Sequence, residues 1–492
     1  MTRWLRSHPL AVFLPLQAAL SFSWLGLLAP WGDETWTLSA VRLPLAGLLA
    51  AMVGDPHPPL YYGLVHAWVR IPLGLDPVVQ VRALSAVFAL LATVALDRLW
   101  ASRLPETSRF RLLALWCLSP CLLLYARMCR SYSLQLLVAT VAMAWILRFA
   151  ERRSWRTGAA TAVSLTAMLY THYVPGLALL AAVHVVILVR GRRRWKDLAA
   201  LDFFVILAYL PWIWRLGDAL ARWGGPGRNY ALTGSALAEI GVKAAFWAAS
   251  FVLGEAVPDA VLLLGGLVAL AAAALVLAGA RKNVDLVWLA APAAAVGLAG
   301  VARWVSYPFI PARMLFLFPI YLLWLVSGMA VYRRAGKLVF AALMLISLSG
   351  LWCYFHKTGF LGMQYAMPMR EIAALIETTA PRETAVVVDR ANSDREALEY
   401  ALGGARPLVY SEDALAGNID RNPAIRAIWF LRSTHDISPG RVNDALARQL
   451  LATGRARVRG YLPFSPLRKR LIRAIGIAHP PDYFQELIEY RR

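Results

Sequence analysis

Long apolar runs separated by short polar ones fill the first 355 residues of this chain. Eleven runs, near 9–30, 78–98, 111–126, 131–149, 157–171, 174–190, 198–216, 259–280, 284–302, 313–331 and 337–355, read as membrane-crossing helices. Those at 111–126, 157–171 and 174–190 are short for a full crossing. Between the first two runs, 35–52 and 58–71 have the amphipathic character of two helices lying along a membrane surface. Residues 217–258 read as a second long segment outside the bilayer. Within it, Gly224-Gly225-Pro226-Gly227-Arg228-Asn229 is a turn-rich stretch suited to a mobile loop.

After Phe355 the pattern changes. The stretches 385–389 and 425–431 are written like buried strands, and Asp394–Leu402 and Val442–Ala452 like helices. The expected architecture is a polytopic α-helical membrane domain over 1–355, followed by a soluble α/β domain over 356–492. Neither strand is followed by a Gly-rich phosphate loop, and no repeat of solenoid length is present.

Composition agrees with a membrane protein: 59% of residues are hydrophobic, 16% are charged and mean hydropathy is +0.54. The net charge of +22 would suit nucleic acid if it were clustered on one surface. Instead, much of it alternates between loops. One set contains Arg3 and Arg6; Arg98, Arg103, Arg109 and Arg111; Arg148, Arg152, Arg153 and Arg156; Arg190, Arg192, Arg193, Arg194 and Lys196; Arg281 and Lys282; and Arg333, Arg334 and Lys337. This is the positive-inside pattern, so nucleic acid is not an expected partner. With the N-terminus inside and an odd number of crossings, the 31–77 loop and the C-terminal domain face outward. In a bacterial inner membrane that is the periplasmic side. Cys117, Cys121, Cys129 and Cys353 form no CxxC pair, which suggests neither a zinc site nor a disulfide framework. The first run lacks a small-residue cleavage site and reads as a retained helix.

Candidate chemistry gathers at the outer ends of these runs. Asp33 and Glu34 follow the first span directly, and ionisable groups at a bilayer boundary are costly enough to mark function. The same topology brings Asp55, His57, Tyr61, Tyr62, Arg82, Arg127, Arg130, Tyr132, His172, Tyr173 and Arg313 to that face, along with Arg303 and Tyr307. Arginine forks bind phosphate and keep their charge, so Arg127, Arg130 and Arg313 are phosphate-ligand candidates. A nearby carboxylate has the chemistry of a general base. The bland alternatives are an acidic first turn capping a surface helix, a turn histidine, and arginines snorkelling to headgroups.

Five stretches together resemble the GT-C glycosyltransferases: the acidic pair 33–34, His57-Pro58-Pro59-Leu60-Tyr61-Tyr62, Tyr125-Ala126-Arg127-Met128-Cys129-Arg130-Ser131-Tyr132, Tyr170-Thr171-His172-Tyr173 and Pro311-Ala312-Arg313-Met314-Leu315-Phe316. The similar branches are the protein mannosyltransferases and the bacterial lipid A aminoarabinose transferase-like enzymes, over roughly residues 1–355. The resemblance implies transfer of a sugar from a polyprenyl-phosphate donor, with inversion, to a glycolipid, polysaccharide or protein acceptor. Asp33 would be the base and Glu34 its neighbour. His57, Arg82, Arg127, Arg130 and Arg313 would bind the donor phosphate. Asp55, Tyr61, Tyr62, Tyr132, His172 and Tyr173 would line the substrate site. Two positions depart from the aminoarabinose branch: His57 stands where it has a lysine, and Trp36 where it has an arginine three residues after the base. The remaining arginines would then hold more of the phosphate charge. Asp33, Glu34, His57 and His172 could converge on a divalent metal, but their spacing does not demand one, and no cofactor is expected. The rival readings are a lipid-linked saccharide flippase and a non-catalytic lipid-sugar-binding relative.

Overall fold

The computed structural model describes residues 7–52, 57–190, 194–223, 236–304, 311–389, 394–404, 406–417, 419, 422–433, 442–474 and 480–491. The chain divides into two compact units. The first comprises Met1–Leu25 and Leu38–Gly359, and the second Gly26–Thr37 and Phe360–Arg492.

The first unit is helical. It begins with α1 (Pro9–Phe22), and the helix α2 (Gly32–Ala40) straddles the division between units. Next come α3 (Leu45–Ala51), α4 (Leu60–Trp68), α5 (Pro77–Leu99), α6 (Glu106–Cys117), α7 (Pro120–Ala126), α8 (Tyr132–Glu151), α9 (Trp155–Thr171) and α10 (Tyr173–Arg190). The series continues with α11 (Trp195–Trp223), α12 (Ala236–Leu253), α13 (Asp259–Lys282), α14 (Val284–Trp304), a 3-10 turn at Pro311–Leu317, α15 (Phe318–Val331) and α16 (Arg333–Phe355).

The expected spans overlap helical segments, but the first is helical only to Phe22, with 26–30 in the second unit, and 111–126 is broken between Cys117 and Pro120. Among the described residues, seven helices are long and apolar enough to cross a membrane, or eight if the bent pair α6–α7 is one span. The 51° bend there has a local cause. Pro120 restarts the helix without a backbone N–H, while the Ser119 hydroxyl accepts from the Leu122 N–H at 3.2 Å. The amphipathic segments after the first span form the three short helices α2, α3 and α4.

The segment read as lying outside the bilayer, 217–258, is largely helical where it is described. The helix α11 runs on to Trp223, and α12 occupies Ala236–Leu253. Gly and Pro punctuate only a few positions there, and the alanine-rich sequence after them is a strong helix former. The turn-rich stretch 224–229 lies outside the described residues.

Helices α13 and α15 approach backbone to backbone. A Cβ on Gly279 would fall 1.9 Å from the Trp324 carbonyl oxygen, and one on Gly328 would fall 1.9 Å from that of Leu275. Only glycine fits either position, as at other close helix crossings in lipid. Deep among α1, α5 and α6, the Thr93 hydroxyl donates to Gln17 Oε1 at 2.6 Å and accepts from Trp116 Nε1 at 2.7 Å.

The second unit continues with α17 (Met369–Thr379), β1 (Thr384–Val388), α18 (Asp394–Leu402), β2 (Leu408–Tyr410), α19 (Ser411–Ala416), β3 (Ala427–Ser433), α20 (Val442–Ala452), β4 (Ala456–Pro463), α21 (Pro466–Ala474) and β5 (Tyr483–Arg491). Its sheet has the order β2-β1-β3-β5-β4. β1 pairs in parallel with β2 and β3, and β5 antiparallel with β3 and β4. Both strands and both helices read from the sequence are present. Apolar layers cover both faces: Val386, Trp429 and Leu431 pack with α17 residues on one, and Val387, Ile428 and Phe430 with α20 residues on the other.

Residues 26–37 are anchored on this second core. Ala29 packs against it, the Trp31 and Tyr365 rings meet edge-on at 5.3 Å, and Arg370 donates to the Gly26 carbonyl at 3.1 Å.

Candidate functional site

Four basic residues of the first unit meet where helices begin. His57 precedes α4, Arg130 precedes α8, His172 precedes α10, and Arg313 lies in the 3-10 turn leading into α15. Pro58 and Pro59 fit a helix start, because proline has no N–H to leave unpaired. One Arg130 guanidinium nitrogen, Nη2, lies 3.0 Å from His57 Nδ1 and 3.2 Å from Nε2. The His57 and His172 rings meet edge to face at 5.4 Å. Arg130 also sits over the Tyr62 ring, 5.9 Å from its centre. Gln135 on α8 donates to the Ala312 carbonyl at 3.1 Å, linking the Arg130 segment to the turn that carries Arg313.

The electrostatics follow from donor chemistry. An arginine can only donate, so a His57 ring nitrogen that bonds to Arg130 does so as the acceptor. His172 is held well below the usual histidine range, first by burial and then by His57, Arg313 and Arg130. Arg130 and Arg313 give the cluster permanent positive charge, beside the starts of α4, α8 and α10. Arg130 is only 2% exposed, so that charge acts at low dielectric. The arrangement suits one anion.

The other expected residues divide into those near this cluster and those held elsewhere. Tyr61 and Tyr62 are fully buried at the start of α4, and the Tyr61 hydroxyl is 2.9 Å from Ser85 Oγ. Tyr132 opens α8, edge-on to Tyr125 at 5.3 Å. The Tyr173 hydroxyl accepts from Trp212 Nε1 at 2.9 Å. Arg82 and Arg127 hold the end of α1: Arg82 donates to the Leu25 carbonyl at 2.8 Å, and Arg127 donates to those of Leu20 and Trp24 while lying over Tyr354 and Phe355. Trp24 has φ +50°, and these bonds secure that left-handed exit from the helix.

Asp33 and Glu34 belong to the second unit, in the first turn of α2. Glu34 is 1% exposed and its Oε2 lies 3.4 Å from the Trp31 backbone nitrogen, a capping position; Asp33 is partly exposed. Asp55 lies outside the described residues, as do Tyr307 and the side chain of Arg303. Among the described residues, no three His, Cys, Asp or Glu side chains converge as metal ligands.

An apolar groove of about 980 Å³ includes in its lining Leu60, three residues after His57, and Tyr170, two before His172. Leu60 and Tyr170 line one end, and Ser154, Trp155 and Arg153 the other; Ala159, Ala162, Ala167, Ala200 and Ala208 leave it open along the way. Ser154 to Tyr170 is roughly 24 Å of helix at 1.5 Å per residue, most of the ~30 Å hydrocarbon thickness.

Glu255, which sequence reasoning passed over, is another buried ionisable group. Gly254, at φ +86°, presses the chain against Pro120, where a Cβ would fall 2.7 Å from the proline Cβ, and Glu255 follows it inside at 1% exposure. Burial pushes its carboxyl from 4.5 up to about 7, with Ser250 opposing the shift. A raised carboxyl pKa means the native state holds its proton longer than the unfolded chain. Stability from this group is therefore full below pH 4.5 and falls as pH rises toward 7, by about 3 kcal/mol in all. Glu255→Gln is expected to raise the melting temperature at pH 8 and leave it unchanged at pH 4.5, measured on detergent-solubilised protein. An unchanged melting temperature at pH 8 would contradict this assignment.

The fold has counterparts among solved structures. Over 93% of this chain and 72% of the other, it superposes on the Archaeoglobus fulgidus oligosaccharyltransferase, solved with Zn and sulfate, with TM-score 0.50 and 13% identity. Two further structures are similar. ArnT from Cupriavidus metallidurans, bound to undecaprenyl phosphate, matches with TM-score 0.49 and 12% identity over 98% of this chain and 97% of that one. The mycobacterial arabinofuranosyltransferase AftD matches with TM-score 0.42 and 18% identity over 100% of this chain and 42% of that one. No protein-family model and no curated protein sequence matches the chain.

Proposed function

We propose that this protein transfers a sugar from a polyprenyl-phosphate donor to a glycolipid, polysaccharide or protein acceptor, with inversion, at the periplasmic face of a bacterial inner membrane. The observation that carries this reading is the pairing of the Arg130 and Arg313 cluster with an apolar groove along α9 in the same unit. A phospholipid acyl chain reaches about half the ~30 Å core, whereas the groove runs most of it. That length suits a long isoprenoid whose phosphate lies at Arg130 and Arg313.

In the proposed reaction Asp33 accepts the proton of the acceptor hydroxyl as its oxygen attacks the anomeric carbon. The bond from that carbon to the phosphate oxygen breaks, and polyprenyl phosphate leaves with the bonding pair. Arg130 and Arg313 stabilise the charge gained by the leaving phosphate. His57 orients Arg130 by accepting from it, and Arg82 and Arg127 shape the site by holding the end of α1.

Mass spectrometry of envelope glycolipids and glycoproteins, with and without this protein, tests the reading. Loss of one sugar modification is expected, and an unchanged profile would overturn it. The groove has its own test. Ala159→Trp fills it without touching the cluster, and is expected to lower kcat/KM about tenfold for a long-chain donor while sparing a short-chain one. Equal effects on both donors would remove the groove from the proposal.

A further inference from the structure

The second unit carries a basic surface that the transfer reaction does not use. Residues 451–474 contain Arg455, Arg457, Arg459, Arg468, Lys469, Arg470 and Arg473 and no acidic residue. They form the edge strand β4 and the helix α21. Arg459 pairs with Glu489 and Lys469 with Asp482, whereas Arg455, Arg457, Arg470 and Arg473 are exposed.

A second observation falls on the same edge. Among the described residues of this unit, the exposed large apolar side chains are Leu451, Val458, Leu471 and Tyr483. Leu451 lies at the end of α20 just before β4, Val458 is on β4, Leu471 is on α21, and Tyr483 pairs with Pro463 of β4. Helix α21 places Leu467 and Leu471 one turn apart, flanked by Arg470 and Arg473. An exposed leucine, Leu471, with the half-buried Leu467 one turn before it and arginines around both, is the pattern of a segment lying in a headgroup layer.

We propose that the β4 edge and α21 form a membrane-docking face, with Leu471 entering the headgroup region and Arg470 and Arg473 binding the phosphates of anionic phospholipids.

The test uses the full-length protein in nanodiscs. Leu471→Cys is labelled with an environment-sensitive fluorophore, which is selective because all four native cysteines are buried. Phosphatidylglycerol nanodiscs are expected to shift the emission to the blue, and phosphatidylcholine nanodiscs to leave the label wet. Salt at about 0.5 M should reverse the shift. Adding Arg470→Gln and Arg473→Gln should reduce the docked-to-undocked ratio roughly 25-fold, about fivefold per charge. A label equally wet in both lipids overturns the proposal. So does a blue shift that ignores lipid charge, salt and the double substitution. None of these readings depends on sugar transfer.

Discussion

Asp33→Asn is expected to lower sugar transfer by about 10²–10⁴-fold, the usual contribution of a positioned general base, with expression and membrane insertion unchanged. The two carboxylates of the pair differ in situation. Glu34 is fully buried beside the Trp31 N–H that it caps, whereas Asp33 is partly exposed in the same first turn. Asparagine keeps the volume of Asp33 and is tolerated at a helix start, so the substitution removes basicity and little else. Glu34→Gln keeps an acceptor for the Trp31 N–H and should act mainly on stability. Turnover is measured as release of polyprenyl phosphate from the donor. Activity of Asp33→Asn within about threefold of wild type would exclude this residue as the base, whatever reaction the protein performs.

Arg130→Gln carries the second large effect, an expected loss of about 10²–10³-fold, comparable to removing one oxyanion donor. The side chain is 2% exposed and touches both His57 and Tyr62, so a folding defect has to be separated from a chemical one. Arg313→Gln serves that purpose, because Arg313 is partly exposed. The two variants should show the same rise in donor KM while eluting as intact protein.

Much of the first unit is legible in the sequence, because spans and loops are written in long-range hydropathy and in the placement of arginine. The cluster of His57, Arg130, His172 and Arg313 is legible for a related reason: each follows a span or opens a helix, so topology alone collects them. The fates of Arg82 and Arg127 are not. Whether an arginine meets a ligand or the carbonyls of Leu20, Trp24 and Leu25 depends on where a distant helix ends. The strands β4 and β5 were missed for a local reason. ARVRGYLP begins with apolar and charged residues in alternation, YFQELIEYR mixes apolar and polar pairs, and neither has the continuous apolar run of β1. Glu255 escaped notice because its surroundings read as an outer segment, while its burial depends on Gly254 meeting Pro120. The grouping of 26–37 with residues beyond 360 is set by contacts more than three hundred positions apart, such as Arg370 with Gly26, which no local pattern encodes.

The reciprocal seats of Gly279 and Gly328 have a mechanical consequence. Two rods touching main chain to main chain have no side-chain cushion to slide on, and any shear along that seam drives carbonyl into carbon. Helices α13 and α15 must therefore travel as a single beam through every step of the working cycle. Whatever flexes to admit a substrate has to bend somewhere else.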